Sequence, residues 1–122
     1  MTVADTPSAM DIQGQAARIA AEVAGPQAAE VDRLAVFPTA AIAALREAGL
    51  LAMMVPTDLG GPGAGLEEVA RVVETLGRHC SATALIFAMH QIQVACLVEH
   101  GRNSTLRDLL RDVAEHGLLL GS

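Results

Sequence analysis

Ser81-Ala82-Thr83-Ala84-Leu85-Ile86-Phe87-Ala88-Met89-His90-Gln91-Ile92-Gln93-Val94-Ala95-Cys96-Leu97-Val98-Glu99-His100 is the stretch that decides the fold. It carries no formal charge from Ser81 to Val98, and its apolar residues fall on every side of a helical wheel. Such a helix is buried on all sides. Ser81 reads as its N-cap and Gly101 as its stop. At ~1.5 Å per residue the uncharged run nearly matches a bilayer core of ~30 Å. His90, Gln91 and Gln93 stand at its centre, however, where lipid is least forgiving, so it reads as a core helix and not a membrane span.

Working outward, the flanking segments are amphipathic. Ile12, Ala16, Ile19, Ala20 and Val23 recur at helical spacing, as do Leu66, Val69, Val72, Val73 and Leu76, and then Leu106, Leu109, Leu110 and Val113. Gly25-Pro26 predicts a kink, after which Gln27 to Leu34 continues the first helix. Phe37-Pro38 opens another helix, with Ile42, Leu45 and Ala48 facing inward and Gly49 suited to a left-handed cap. Leu50 to Val55 reads as a short apolar connector, and Thr57 to Gly65 as a Gly/Pro-rich loop. Gly77 weakens the end of the helix from Leu66, Ser104 caps the last helix, and Gly117 ends it. The expected organisation is a frayed tail over residues 1–8, an all-α domain of about five to six helices over 9–117, and the start of a strand over 118–122.

Composition agrees. Of 122 residues, 52% are hydrophobic and only 2% aromatic, with no Trp or Tyr. The core is therefore built from Ala, Leu, Val, Ile and Met, which favours helix over strand. The net charge is −6 and the eight basic residues, all Arg, are scattered, which excludes a phosphate-binding surface for nucleic acid. Cys80 and Cys96 lie in apolar surroundings with no CxxC and read as buried free thiols in a reducing, cytoplasmic setting. The first ten residues contain no Lys or Arg and no apolar run, unlike a secretory signal.

Several strings, in order, resemble the N-terminal domain of the acyl-CoA dehydrogenase superfamily. They are Val31-Asp32-Arg33, Phe37-Pro38 and Ala44-Leu45-Arg46-Glu47-Ala48-Gly49-Leu50, then Val55-Pro56-Thr57-Asp58-Leu59-Gly60-Gly61-Pro62-Gly63. Glu74 to Arg78 with Cys80-Ser81-Ala82, and His100-Gly101 with Leu118 to Ser122, complete the set, over roughly residues 11–122. The resemblance implies an FAD-dependent, homotetrameric oxidoreductase with a middle β domain and a C-terminal helical bundle. It implies α,β-dehydrogenation of an acyl thioester, with the catalytic carboxylate and nearly all flavin contacts outside this stretch. The chain alone is then expected to be inactive. Anchored on Gly101, the resemblance places Ala88, Met89 and Ile92 on the wall of the acyl pocket.

His90 has two readings. Flavin monooxygenases that resemble this fold place a histidine of this domain near substrate, where hydrogen bonding or proton transfer suits a group titrating near neutrality. The other reading is a core histidine bonded to a backbone carbonyl or to Gln91. The run Gly60 to Gly65 lacks the Gly-Lys-Ser/Thr of a P-loop and the spacing of GxGxxG, so it reads as a structural turn. Cys96 and His100, with His79 and Cys80, lack the paired close spacing of a structural zinc site, and no metal is expected. Asp108, Asp112 and Glu115 read as a solvated face.

Three functions follow as expectations. The first is one wall of the substrate pocket in an acyl-CoA dehydrogenase-like flavoenzyme, with a monooxygenase of the same fold as its variant. The second is a non-catalytic docking subunit, because a large exposed apolar patch marks an interaction surface. The third is a helical regulator. A helix apolar on all sides and a strand pattern at residues 118–120 both lead us to expect further chain or a partner.

Overall fold

A computed structural model describes residues 9–101 and 104–121. The described residues form six α-helices: α1 (Ala9–Ile19), α2 (Gly25–Leu34), α3 (Thr39–Glu47), α4 (Leu66–Gly77), α5 (Ser81–His100) and α6 (Ser104–His116). No strand occurs among the described residues. The fold is all-α, as the composition requires. The tail over residues 1–8 and the side chain of Ser104 lie outside the described residues.

The amphipathic faces pack as their spacing predicts. Ile12, Ala16, Ile19 and Ala20 of α1, Ile42 and Leu45 of α3, Val72 and Leu76 of α4, and Leu110 and Val113 of α6 share one core. Helix α4 lies between α1 and α5, and the Gln13 amide fastens it to α1 by donating to the Glu68 carbonyl at 3.1 Å. At the start of α4 the Glu68 carboxylate accepts the Gly65 N–H, which satisfies one of the unpaired donors of that turn.

Two junctions differ from the expected ones. The chain passes Gly25-Pro26 through a single π turn, Ala20–Ala24, whose last carbonyl partner is the Gly25 N–H bonded to Ala20. A widened turn accommodates the missing donor and the bulk of the proline ring. Cys80, not Ser81, is the cap residue of α5; its Sγ caps no backbone N–H and instead accepts the Thr83 hydroxyl at 3.3 Å.

The segment expected to be a connector is instead part of the deepest core. Leu50, Leu51, Ala52, Met53, Met54 and Val55 are all buried. Gly49, at φ 79°, reverses the chain after α3, and a 3-10 turn over Leu50–Ala52 carries it inward. The glycine loop then folds back on this segment: the Gly63 N–H donates to Val55 at 2.8 Å and the Ala64 N–H to Met53 at 2.7 Å. These glycines serve a structural turn.

Residues 118–121 run without regular secondary structure. A strand needs a neighbour to take its backbone groups, and here the Leu120 N–H donates to the ring of His90 instead.

Candidate functional site: the open face of α5

Helix α5 has two unlike sides. Thr83, Ala84, Phe87, His90, Gln91 and Val94 face the domain and are buried. Leu85, Met89, Ile92 and Cys96 recur at helical spacing on the other side, and Leu85, Met89 and Ile92 are 63%, 42% and 54% exposed. The helix is thus half covered, and Cys96 is exposed, contrary to the expectation of a buried thiol. By length and composition α5 would also suit a membrane crossing, but its inner side is committed to the protein core.

The open face leads into two shallow apolar grooves. One, of about 400 Å³, lies between α4 and α5 and is lined by Leu66, Val69, Ala88, Gln91, Ile92 and Cys96, among others. The other, of about 390 Å³, lies between Leu85, Ile86 and Met89 on one side and Leu119, Leu120 and Gly121 on the other. A separate, more polar hollow of about 360 Å³ sits where the α4–α5 turn meets α2, beside Asp32, Arg78 and His79. It belongs to the exposed surface and adjoins none of the residues expected to bind substrate.

The four residues singled out from the sequence separate into two groups. Ala88 and Ile92 meet in the first groove, and Met89 lines the second. His90 points the other way and is fully buried. Its Nε2 lies 2.7 Å from the Leu51 carbonyl oxygen, and its Nδ1 accepts the Leu120 N–H at 3.0 Å. A carbonyl only accepts, so the ring proton resides on Nε2 and the imidazole is neutral. Burial lowers the pKa of His90, the bond to Leu51 raises it, and the Arg46 charge lowers it, with burial dominant. Next to it, the Gln91 amide donates to the Leu50 carbonyl at 2.9 Å, while Gln91 Oε1 is buried without a hydrogen-bond partner.

The lowered pKa makes stability depend on pH. The unfolded chain takes up a proton near the ordinary value of 6.5, where the folded chain does not. Stability is therefore complete above that value and falls with pH from there toward the depressed folded value. Urea unfolding compared on the two sides of the imidazole range should show lower stability on the acid side, and the difference should shrink in His90→Gln. An equal pH dependence in the variant would assign the effect to other groups.

Sequence reasoning missed Leu66 and Leu85, both largely exposed on this face at 66% and 63%. A helix apolar all round gives no sign of which side its own chain leaves open.

Comparison with known proteins agrees with this architecture. The family model for the acyl-CoA dehydrogenase N-terminal domain matches residues 6–119. The chain belongs to this family. A 3-sulfinopropanoyl-CoA desulfinase of Paraburkholderia xenovorans is 30% identical over 81% of the chain and 26% of its own length. A probable acyl-CoA dehydrogenase of Mycobacterium leprae is 33% identical over 77% of the chain and 24% of its own length. The mitochondrial short-chain specific acyl-CoA dehydrogenase of Mus musculus is 38% identical over 53% of the chain and 16% of its own length. This acyl-CoA dehydrogenase N-terminal domain thus spans about a quarter or less of the length of these curated relatives.

Proposed function

We propose that the open face of α5 is one wall of the pocket that receives the aliphatic part of an acyl thioester, in an FAD-dependent, homo-oligomeric acyl-CoA dehydrogenase-like oxidoreductase. The observation that carries this reading is the exposed row Leu85, Met89 and Ile92 running into two apolar grooves. Hydrocarbon seated there leaves water, a gain of about 0.8 kcal/mol for each fully buried methylene. The names of these relatives add support, because each names a coenzyme A thioester.

The grooves do not fit a flavin. Their walls are mostly hydrocarbon, and among the described residues no arginine lines either of them to hold a diphosphate. On this reading the flavin, and the carboxylate that removes the α-proton, belong to other domains of the assembled enzyme. The residues of this chain bind the acyl tail, orient it and exclude water, and the chain alone does not oxidise acyl-CoA. His90, which motivated the monooxygenase variant, is buried behind the wall of the second groove and lines neither groove, so nothing exposed at the open face favours that variant.

Titration of the isotope-labelled chain with butanoyl-, octanoyl- and palmitoyl-CoA, followed by NMR, tests the assignment. Amide shifts are expected at Leu85, Ala88, Met89 and Ile92, stronger for the longer chains and absent in Ile92→Glu. Shifts confined to the polar hollow beside Arg78 and His79, or none on α5, would overturn it.

A further inference from the structure

The last described segment is tied to the domain by two hydrogen bonds, beside the packing of Leu119 and Leu120 on the core. At its start, Gly117 adopts φ 62° and its carbonyl accepts the Arg46 Nε–H at 2.8 Å. The contact is so close that a Cβ at Gly117 would fall 2.3 Å from Arg46 Cγ. Three residues on, the Leu120 N–H donates to His90 Nδ1, while the opposite ring nitrogen is anchored to the Leu51 carbonyl in the core. Between and just after these ties, Leu119, Leu120 and Gly121 form the second wall of the groove against Leu85, Ile86 and Met89. The groove therefore has one helical side, α5, and one irregular side whose backbone is tied by a single imidazole and a single guanidinium, while Leu119 and Leu120 pack against the core.

We propose that His90 is a positioning residue and a proton-released latch: the neutral ring holds Leu119–Gly121 as a wall of the groove, and protonation of Nδ1 releases it. A proton taken from solvent onto Nδ1 removes the acceptor and sets one N–H against the Leu120 N–H, two donors with no acceptor between them. The Leu51 bond survives, because Nε2 donates in both states. Release is thus confined to the side of the ring that holds residues 118–121, and the core side stays fastened.

The surroundings add little competing titration. The 3-10 turn over Leu50–Ala52 and the segment 117–121 contain no charged side chain. From α3, Glu47 is exposed, and Arg46 is the charge that acts on the ring, disfavouring its protonation while it binds Gly117. On α6, Asp108, Arg111, Asp112, Glu115 and His116 are exposed, and Arg107 is paired with Asp58 at 3.0 Å. On α5 itself, Glu99 and His100 are exposed at the far end. The latch itself is a property of the His90 geometry; its consequence for ligand rests on reading the α5 face as a pocket wall.

The test is the hydrogen exchange of the Leu120 amide in the full chain as pH is lowered, corrected for intrinsic exchange. An open segment leaves His90 an ordinary imidazole, so opening should rise by up to about tenfold per pH unit between the ordinary value and the depressed one. Core amides at Leu45 and Val72 should keep their protection over the same range. In His90→Gln, which keeps a donor for Leu51 and does not titrate, the slope at Leu120 should vanish. A flat profile in the wild type, the same slope in the variant, or core amides opening in step with Leu120 would each overturn the latch. The acyl-CoA titration reports separately on the pocket wall, so one reading can fail while the other stands.

Discussion

Phe87→Ala is expected to lower the stability of the chain by about 3–5 kcal/mol, the usual cost of removing a fully buried aromatic ring. Phe87 has no solvent exposure and is the largest fully buried side chain. It sits on the inner side of α5, within the core shared by α1, α3, α4 and α6. Ring removal forfeits the transfer free energy and leaves a cavity that rigid helices on several sides cannot close. For a single domain with roughly 5–15 kcal/mol in all, that loss is a large fraction. At an m value of about 1–2 kcal/mol per molar, the urea midpoint should fall by about 1.5 M or more. Leu85, two residues earlier, gives the contrast: it is 63% exposed, and Leu85→Ala should change stability by no more than about 0.5 kcal/mol. Similar losses for the two variants would mean that the inner and outer sides of α5 have been assigned wrongly.

That contrast marks where sequence reasoning reached and where it stopped. Periodicity named most of the buried faces of α1, α3, α4 and α6, because the charged residues of those helices point outward. Leu66 escaped the rule: it continues the apolar spacing of α4 and is nevertheless exposed, beside the open face of α5. In α5 the pattern is apolar throughout, so the same rule returned burial on every side and misplaced Cys96. The excess was informative all the same. A helix with more apolar surface than its own domain covers implies another covering, and the exposed row at Leu85, Met89 and Ile92 is that surplus.

The interior of the site was less legible, for a different reason. His90 meets Leu51 and Leu120, 39 and 30 residues away in sequence, and Gln91 meets Leu50 across 41. These partners are backbone groups, which every residue carries, so no side-chain pattern announces them. The run Leu50 to Val55 was underrated because a 3-10 turn is too short to display a period, although six buried apolar residues in succession are costly to leave in a surface connector. The side of α5 facing each residue named for substrate contact was likewise undetermined: Ala88, Met89 and Ile92 fall on or beside the open face, and their neighbour His90 falls behind it.

Gly61→Ala should be as damaging as the loss of Phe87, though it adds a single methyl group. A Cβ built at Gly61 lies 2.2 Å from the Val55 carbonyl oxygen and 2.5 Å from Val55 Cβ. Neither atom can swing aside. One is backbone, and the other belongs to a β-branched residue with no solvent exposure. To make room, the loop must lift from Met53–Val55, which strains the bonds from Gly63 to Val55 and from Ala64 to Met53. Overpacking costs about 1–3 kcal/mol, occasionally more, and each backbone bond lost adds about 1 kcal/mol. At ~4 °C or more per kcal/mol, the midpoint of thermal unfolding should drop by at least about 10 °C. The same substitution at Gly14 should act in the opposite direction. That residue lies within α1 with nothing within 4 Å of a built Cβ, so alanine gains helix propensity of about 0.5–1 kcal/mol at no steric cost. Melting curves of the two variants share one chemical change and differ only in surroundings. Shifts of opposite sign would locate the requirement for glycine in the close approach of the loop to Val55, and a small loss at Gly61 would show that the loop does not rest on the buried segment at all.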